Sequence, residues 1–169
     1  TLPSELCDDY QFLRRVHLDL TGLPPIPKQI RDFVDDGRDA QTKRDELIDF
    51  LVGGPEFIEH WTNKWANLLQ VNPKLTSKEV ADAMREWVRQ CVAENMPYNQ
   101  FANALLTGSG STLENPAAAY YQVLRTPEEL MENSTQLFLG MRFNCNKCHD
   151  HPFERWTQNQ YYQLAGYFA

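Results

Sequence analysis

Long apolar runs are missing from this chain of 169 residues. The longest are short pieces such as 137–139, far below the roughly 18 residues that a membrane span requires. No membrane span is therefore expected in this segment. Cysteine is sparse, with four residues at positions 7, 91, 145 and 148, too few for a disulfide scaffold. Positive charge is in deficit. Lys and Arg number 16 against 23 Asp and Glu, a net charge of −7, which argues against nucleic acid and anionic membrane surfaces as partners. Period-2 clusters of β-branched residues and hairpin turn pairs are also absent, so a sheet-based fold is not expected.

Several catalytic signatures are missing too. There is no Gly-x-Ser-x-Gly elbow, no His-Glu-x-x-His helix, no Walker loop and no dinucleotide fingerprint. Gly108-Ser109-Gly110-Ser111 is followed by no Lys, and reads as a mobile loop rather than a phosphate loop. The zinc deaminase pattern fails for want of an upstream His-x-Glu. Acid pairs such as Asp8-Asp9, Asp35-Asp36 and Glu128-Glu129 fall near expected helix ends, where the macrodipole and capping account for them. A hydrolase has no residues to stand on.

What is present is helical periodicity punctuated by Gly and Pro. Residues 8–20 carry Phe12, Leu13, Val16 and Leu20 at helical spacing, stopped by Gly22 and the Pro24-Pro25-Ile26-Pro27 run. A short helix runs from Pro27 to Gly37 with Ile30, Phe33 and Val34 inward. Asp39 caps the next, which packs Leu47, Ile48, Phe50 and Leu51 and closes at Gly53-Gly54. Pro55 opens a helix holding Phe57, Ile58, Trp61, Trp65, Leu68 and Leu69. Thr76 with Glu79 resembles a capping box for a helix to about residue 95, with Val80, Met84, Trp87, Val88 and Cys91 on one stripe. Further helices are expected over 98–106, 117–124 and 127–139, the last ended by Gly140. Thr157 starts a final one bearing Tyr161, Tyr162, Leu164, Ala165 and Phe168. The expectation is an all-α, irregular bundle of seven to nine short helices forming a single domain over 1–169. Thr1 and Ala169 both read as cuts from a longer protein, so the missing leader says nothing of compartment.

The chemistry is concentrated in Cys145-Asn146-Lys147-Cys148-His149. Cys-x-x-Cys-His is the attachment signature of haem c. At this chain's Cys and His frequencies chance gives such a run in roughly one chain in five hundred. The two-residue gap places both sulfurs along one ring edge, so that Cys145 and Cys148 would be the thioether anchors and His149 the proximal iron ligand. Asp150 or a backbone carbonyl is expected to take the other ring N–H of His149. Arg142, Lys147 and Arg155 are close enough in sequence to pair with haem propionates. The distal ligand is open. Candidates are Met131, Met141, Met84, Met96, His17 and His60, with Met131 first because its helix directly precedes the motif. His151 is excluded as distal ligand to the same haem: two residues extend about 7 Å, and a ring roughly 15 Å across must be wrapped. It is expected to bond a propionate or cap the turn at Pro152. Two other chemistries compete. Cys145, Cys148, His149 and His151 offer the donors of a tetrahedral zinc site, though within an unusually short span. A redox dithiol is the third reading, but it normally accompanies a βαβ unit. Cys7 and Cys91 are expected to be two buried thiols, with a disulfide as the alternative.

Three segments also carry a family likeness. They are Phe12-Leu13-Arg14-Arg15-Val16-His17-Leu18-Asp19-Leu20-Thr21-Gly22-Leu23-Pro24-Pro25, then Pro55-Glu56-Phe57 through Trp61, then Phe138-Leu139-Gly140-Met141-Arg142-Phe143-Asn144-Cys145 through Trp156 and on to Tyr161-Tyr162. Together they resemble the domain of unknown function 1549 family, found in large secreted planctomycete proteins beside cytochrome c-like modules. The resemblance implies an extracytoplasmic (periplasmic or secreted) location and a haem c-binding or redox role, without a known reaction. It fixes no ligand at His17, His60 or Met131, which favours an open or unusual sixth site. A looser, fold-level likeness joins the chain to cytochromes c′, helical bundles whose distal haem face is apolar.

The expected function is thus a c-type cytochrome domain. It would carry one haem c and pass electrons to a redox partner protein or a neighbouring domain of the same chain. The loop over 144–153 is expected to bring a haem edge to the surface. The alternatives are a haem enzyme or gas sensor with an open distal site, and a non-haem Cys/His metal-binding module.

Overall fold

A computed structural model describes residues 5–169. Thr1 to Ser4, where the reading of the N-terminus falls, lie outside the described residues. Among the described residues there are nine α-helices and no strand, joined by short 3₁₀ turns. The chain divides into two compact units, Thr1–Trp65 with Val88–Met96, and Ala66–Trp87 with Pro97–Ala169.

In the first unit, α1 (Asp9–Thr21) is capped by Asp8, which accepts from the Gln11 amide at 2.8 Å. Gly22 ends it in the left-handed region at φ 71°, a conformation that only glycine adopts without strain. Leu13, His17 and Thr21 recur every four residues and form its buried stripe. α1 packs against α2 (Pro27–Val34) and α3 (Ala40–Leu51), with the Phe12 and Phe33 rings stacked at 6.1 Å. Asp39 caps α3 as its side chain predicts. Phe50 corrects the expected packing: it is 76% exposed, at the outer edge of the stripe through Lys43, Leu47 and Leu51. Lys43 occupies that stripe instead and is 5% exposed. Its ammonium reaches Asp9 at 2.6 Å and donates to the carbonyls of Phe33 and Asp36. Cys7 and Cys91 are free thiols, and burial pushes the Cys91 thiol up to about 11.

α4 (Pro55–Leu68) and α5 (Lys78–Ala93) contribute residues to both units. Leu68 is exposed, about a third of a turn off the stripe of Thr62, Ala66 and Leu69. The start of α5 also differs from expectation by one residue. Ser77 Oγ accepts from the Val80 amide at 3.3 Å, while the Thr76 hydroxyl turns to the Ser77 carbonyl.

The second unit is built on α6 (Tyr98–Leu106), a 3₁₀ turn (Pro116–Ala119), α7 (Tyr120–Val123), α8 (Pro127–Leu139) and α9 (Gln158–Ala165). The helix expected over 117–124 is therefore split, its first turn wound more tightly. Gly108, in the expected mobile loop, is packed: a Cβ there would stand 2.9 Å from the Ala118 amide nitrogen. Thr126 and Glu129 form a reciprocal capping box on α8, and Gly140 ends it at φ 66°. α8 packs on α9, and Met131, Phe143, Tyr161 and Ala165 close the core between them. No helix among the described residues is long and apolar enough to cross a membrane.

Candidate functional site

The Cys-x-x-Cys-His segment lies between α8 and α9, wound as a 3₁₀ turn over Asn144–Lys147. Such a turn points successive side chains about 120° apart. Cys145 and Cys148 both emerge as exposed free thiols, while Asn146 between them turns fully inward. The buried Asn146 amide donates to the Trp156 carbonyl at 2.6 Å. The His151 amide donates to the same oxygen at 2.9 Å.

α9 holds the loop from the other side. The Gln158 side chain and the Tyr162 hydroxyl donate to the Lys147 carbonyl at 3.1 and 3.2 Å. The Asp150 carboxylate accepts from the Gln158 amide at 2.8 Å. Glu132 of α8 secures the loop's entrance, accepting from Asn144 at 2.9 Å and from the Tyr161 hydroxyl at 2.6 Å. Burial and this carboxylate push the Tyr161 hydroxyl well above its usual range.

His149 is exposed, with Nδ1 2.6 Å from the Asp150 carbonyl oxygen. A carbonyl only accepts, so Nδ1 carries the proton and Nε2 keeps the lone pair. His151 has the reverse arrangement. Its Nδ1 accepts from the Phe153 and Glu154 amides at 3.2 and 3.0 Å, capping the turn at Pro152 and leaving the proton on Nε2. With His151 so employed, the four donors of the zinc reading do not converge. Among the described residues no group of three or more His, Cys, Asp or Glu side chains is placed to hold a metal ion.

Arg142, Lys147 and Arg155 are exposed near the loop, the Arg155 guanidinium resting over the Trp156 ring at 5.0 Å. Met131 is not at the surface of the site. It is 0% exposed within the α8–α9 core, its sulfur 4.0 Å from the Thr135 hydroxyl. Met141 lies nearer the surface. It is half-buried and lines a groove of about 790 Å³ beside the loop, with Leu139, Phe143, Trp156, Leu164 and Tyr167. Phe143 and Trp156 pack ring to ring at 5.3 Å on its floor. His17 and His60 belong to the first unit, where burial holds both imidazoles below their usual range.

Sequence reasoning located the thiols, the imidazole and its carbonyl partner. It missed Asn146 and Glu132, which order the loop. Nothing in an Asn inside the motif, or in one Glu of an acidic helix, signals burial against a partner ten or more residues away.

The described residues thus form a helical fold with an exposed Cys-x-x-Cys-His loop and a neighbouring apolar groove. The family model described as PSCyt2, a protein of unknown function (DUF1549), matches residues 1–169. The chain belongs to that family. No curated protein and no solved structure matches it.

Proposed function

We propose that this domain binds one haem c covalently and passes single electrons to a redox partner protein or a neighbouring domain of its own chain, in an extracytoplasmic compartment. The observation that supports it most is the His149 ring. Its Nδ1 is engaged by the Asp150 carbonyl at 2.6 Å, and its Nε2 lone pair is left available one residue after two exposed free thiols.

The residues present fit such a group. Cys145 and Cys148 would hold the ring by thioether bonds and His149 Nε2 would hold the iron. When bound, the iron supplies one-electron chemistry by cycling between its ferric and ferrous states. The Asp150 carbonyl orients the imidazole and fixes its tautomer. Asn146 and Glu132 hold the loop so that the thiols project outward. Leu139, Met141, Phe143 and Trp156 give the groove an apolar lining, and a low-polarity wall would disfavour the more charged ferric form, raising the potential. Arg142, Lys147 and Arg155 offer cations, and His151 Nε2–H a donor, for propionates.

Expression with haem-maturation machinery tests the reading. The expected result is a mass gain of one haem, a Soret band, and split visible bands on reduction. Mature protein at the bare polypeptide mass, with no Soret band, overturns it. Stoichiometric zinc in that protein would favour the metal-binding module instead.

A further inference from the structure

We infer that this chain self-associates head to tail, with the proline ridge of one copy, Leu23 to Pro27, seated in the apolar groove of a second copy. The ridge is a preformed ligand. Pro24, Pro25 and Pro27 fix their own φ at about −65°, and a proline bars the helical region to the residue before it. Ile26 accordingly stands at φ −78° and ψ 158°, a polyproline II conformation. That helix has about three residues per turn, so Leu23 and Ile26 share one face, and Pro24 and Pro27 share the next. Two apolar–proline pairs thus follow one another a turn apart. Leu23 is 55% exposed and Ile26 57%, and the prolines beside them carry carbonyl acceptors but no N–H.

Segments of this kind dock in aromatic-lined grooves, because they are already ordered and lose little entropy on binding. The second unit offers such a groove, about 790 Å³ in volume and walled by Leu139, Phe143, Trp156 and Tyr167. Leu139 and Tyr167 are 66% and 85% exposed, apolar surface that a partner would cover. Gln160 and Gln163 also line it. Gln160 Oε1 already accepts from the Thr157 amide at 3.0 Å, which leaves its side-chain N–H groups to donate to proline carbonyls. None of Cys145, Cys148 or His149 lines the groove, so the inference stands apart from the haem reading.

Charge agrees with the pairing. A chain of net charge −7 repels its own copies on average, so a lasting contact needs local charges of opposite sign. The groove has basic neighbours. Arg142 lies between two lining residues, Met141 and Phe143, and the Arg155 guanidinium rests over the Trp156 ring at 5.0 Å. The ridge has an acidic one: Glu56 is exposed and lines the same hollow as Leu23. Lys28, at the ridge's end, is paired with Asp32. Ridge and groove are different surfaces, so the contact is heterologous. A dimer keeps one ridge and one groove unused, and further copies can add.

The test is analytical sedimentation of the folded chain, whether or not it carries haem. A contact of this size is at the weak end of protein interfaces, so the weight-average mass should climb as loading rises from about 10 to 500 µM. Ile26→Ser removes a ridge side chain and Tyr167→Ser a groove wall. Both positions are exposed, so helical circular dichroism should be unchanged. Each variant should weaken self-association about tenfold or more, the value of burying a large apolar side chain. Mixing the two variants decides the geometry. I26S keeps an intact groove and Y167S an intact ridge, so the mixture should form one-to-one dimers and nothing larger. Wild type that stays monomeric throughout would overturn the inference, as would variants that associate as the wild type does. A mixture as dissociated as its separate components would overturn the head-to-tail pairing.

Discussion

The side-chain amide of Asn146 and the main-chain carbonyl of Trp156 meet at 2.6 Å inside the second unit. This contact turns a five-residue motif into a closed loop. Asn146 sits between the two cysteines, so pulling it inward pushes both sulfurs outward. The His151 amide shares the same carbonyl, and the turn at Pro152 is folded back on itself by the His151 ring.

Removing that contact should loosen the loop without unfolding the helices. Asn146→Ala is expected to lower stability by about 1–2 kcal/mol, the cost of a lost buried hydrogen bond. Amide exchange at His151 should accelerate severalfold, as read by NMR, while the α1 amides keep their protection. Unchanged exchange at His151 would show that Asn146 does not order the loop.

A second expectation concerns the buried ammonium of the first unit. Asp9→Ala leaves Lys43 with two carbonyls but without its direct ion-pair partner, and Arg44 without its carboxylate. The expected loss is about 3 kcal/mol in urea denaturation, since stranding a buried charge costs far more than the intact pair contributes. Replacing Lys43 by Met in the same chain should recover most of the loss. Lys43 and Arg44 also hold the Asp9 carboxyl below its usual range. Its contribution is therefore full above the ordinary pKa of about 4 and fades as pH falls through the lower folded value.

Gly22 and His60 make a steric pair. A Cβ at Gly22 would stand 2.3 Å from His60 Nδ1, and the backbone there has φ +71°. Gly22→Ala should cost about 2 kcal/mol from strain and overlap together. Pairing it with His60→Ala should recover the part due to overlap and leave the part due to φ. Thermal unfolding of the four proteins in that cycle separates the two, and strict additivity would argue against the contact.

Acid should weaken the fold before any carboxylate titrates. His17 is 4% exposed and burial disfavours its charged form, and His60 is displaced the same way by burial and by Lys64. Below the ordinary value of 6.5 the unfolded chain takes up protons that the folded chain refuses. Stability is thus full above pH 6.5 and declines as pH drops toward 5, by at most about 1.4 kcal/mol per pH unit for each ring. His17→Leu should flatten part of that slope in denaturation midpoints at pH 7, 6 and 5. An undiminished slope would remove His17 as its source.

Much of the helical order was legible in the chain. Asp8, Asp39, Thr126 and Thr157 are caps whose side-chain oxygens act within three residues, and local chemistry of that kind is written in sequence. Phe50 and Leu68 were misread because apolarity alone does not say which side of a helix faces a neighbour. Lys43 was missed for the complementary reason: its burial depends on Asp9, 34 positions earlier, and on two carbonyls of the α2 region. Met131 lies in the α8–α9 core while Met141 lines the groove, a difference of packing that residue type alone does not carry.

Residue types at close spacing determined the all-helical character, most helix ends, the exposed cysteine pair and the imidazole beside them, since each depends on interactions a few residues long. Tertiary structure alone decided that Asn146 is buried, that Glu132 braces the loop, and that Met141 rather than Met131 lines the groove. Those outcomes rest on contacts between residues ten or more positions apart, where packing and the need to satisfy buried polar groups choose the partner.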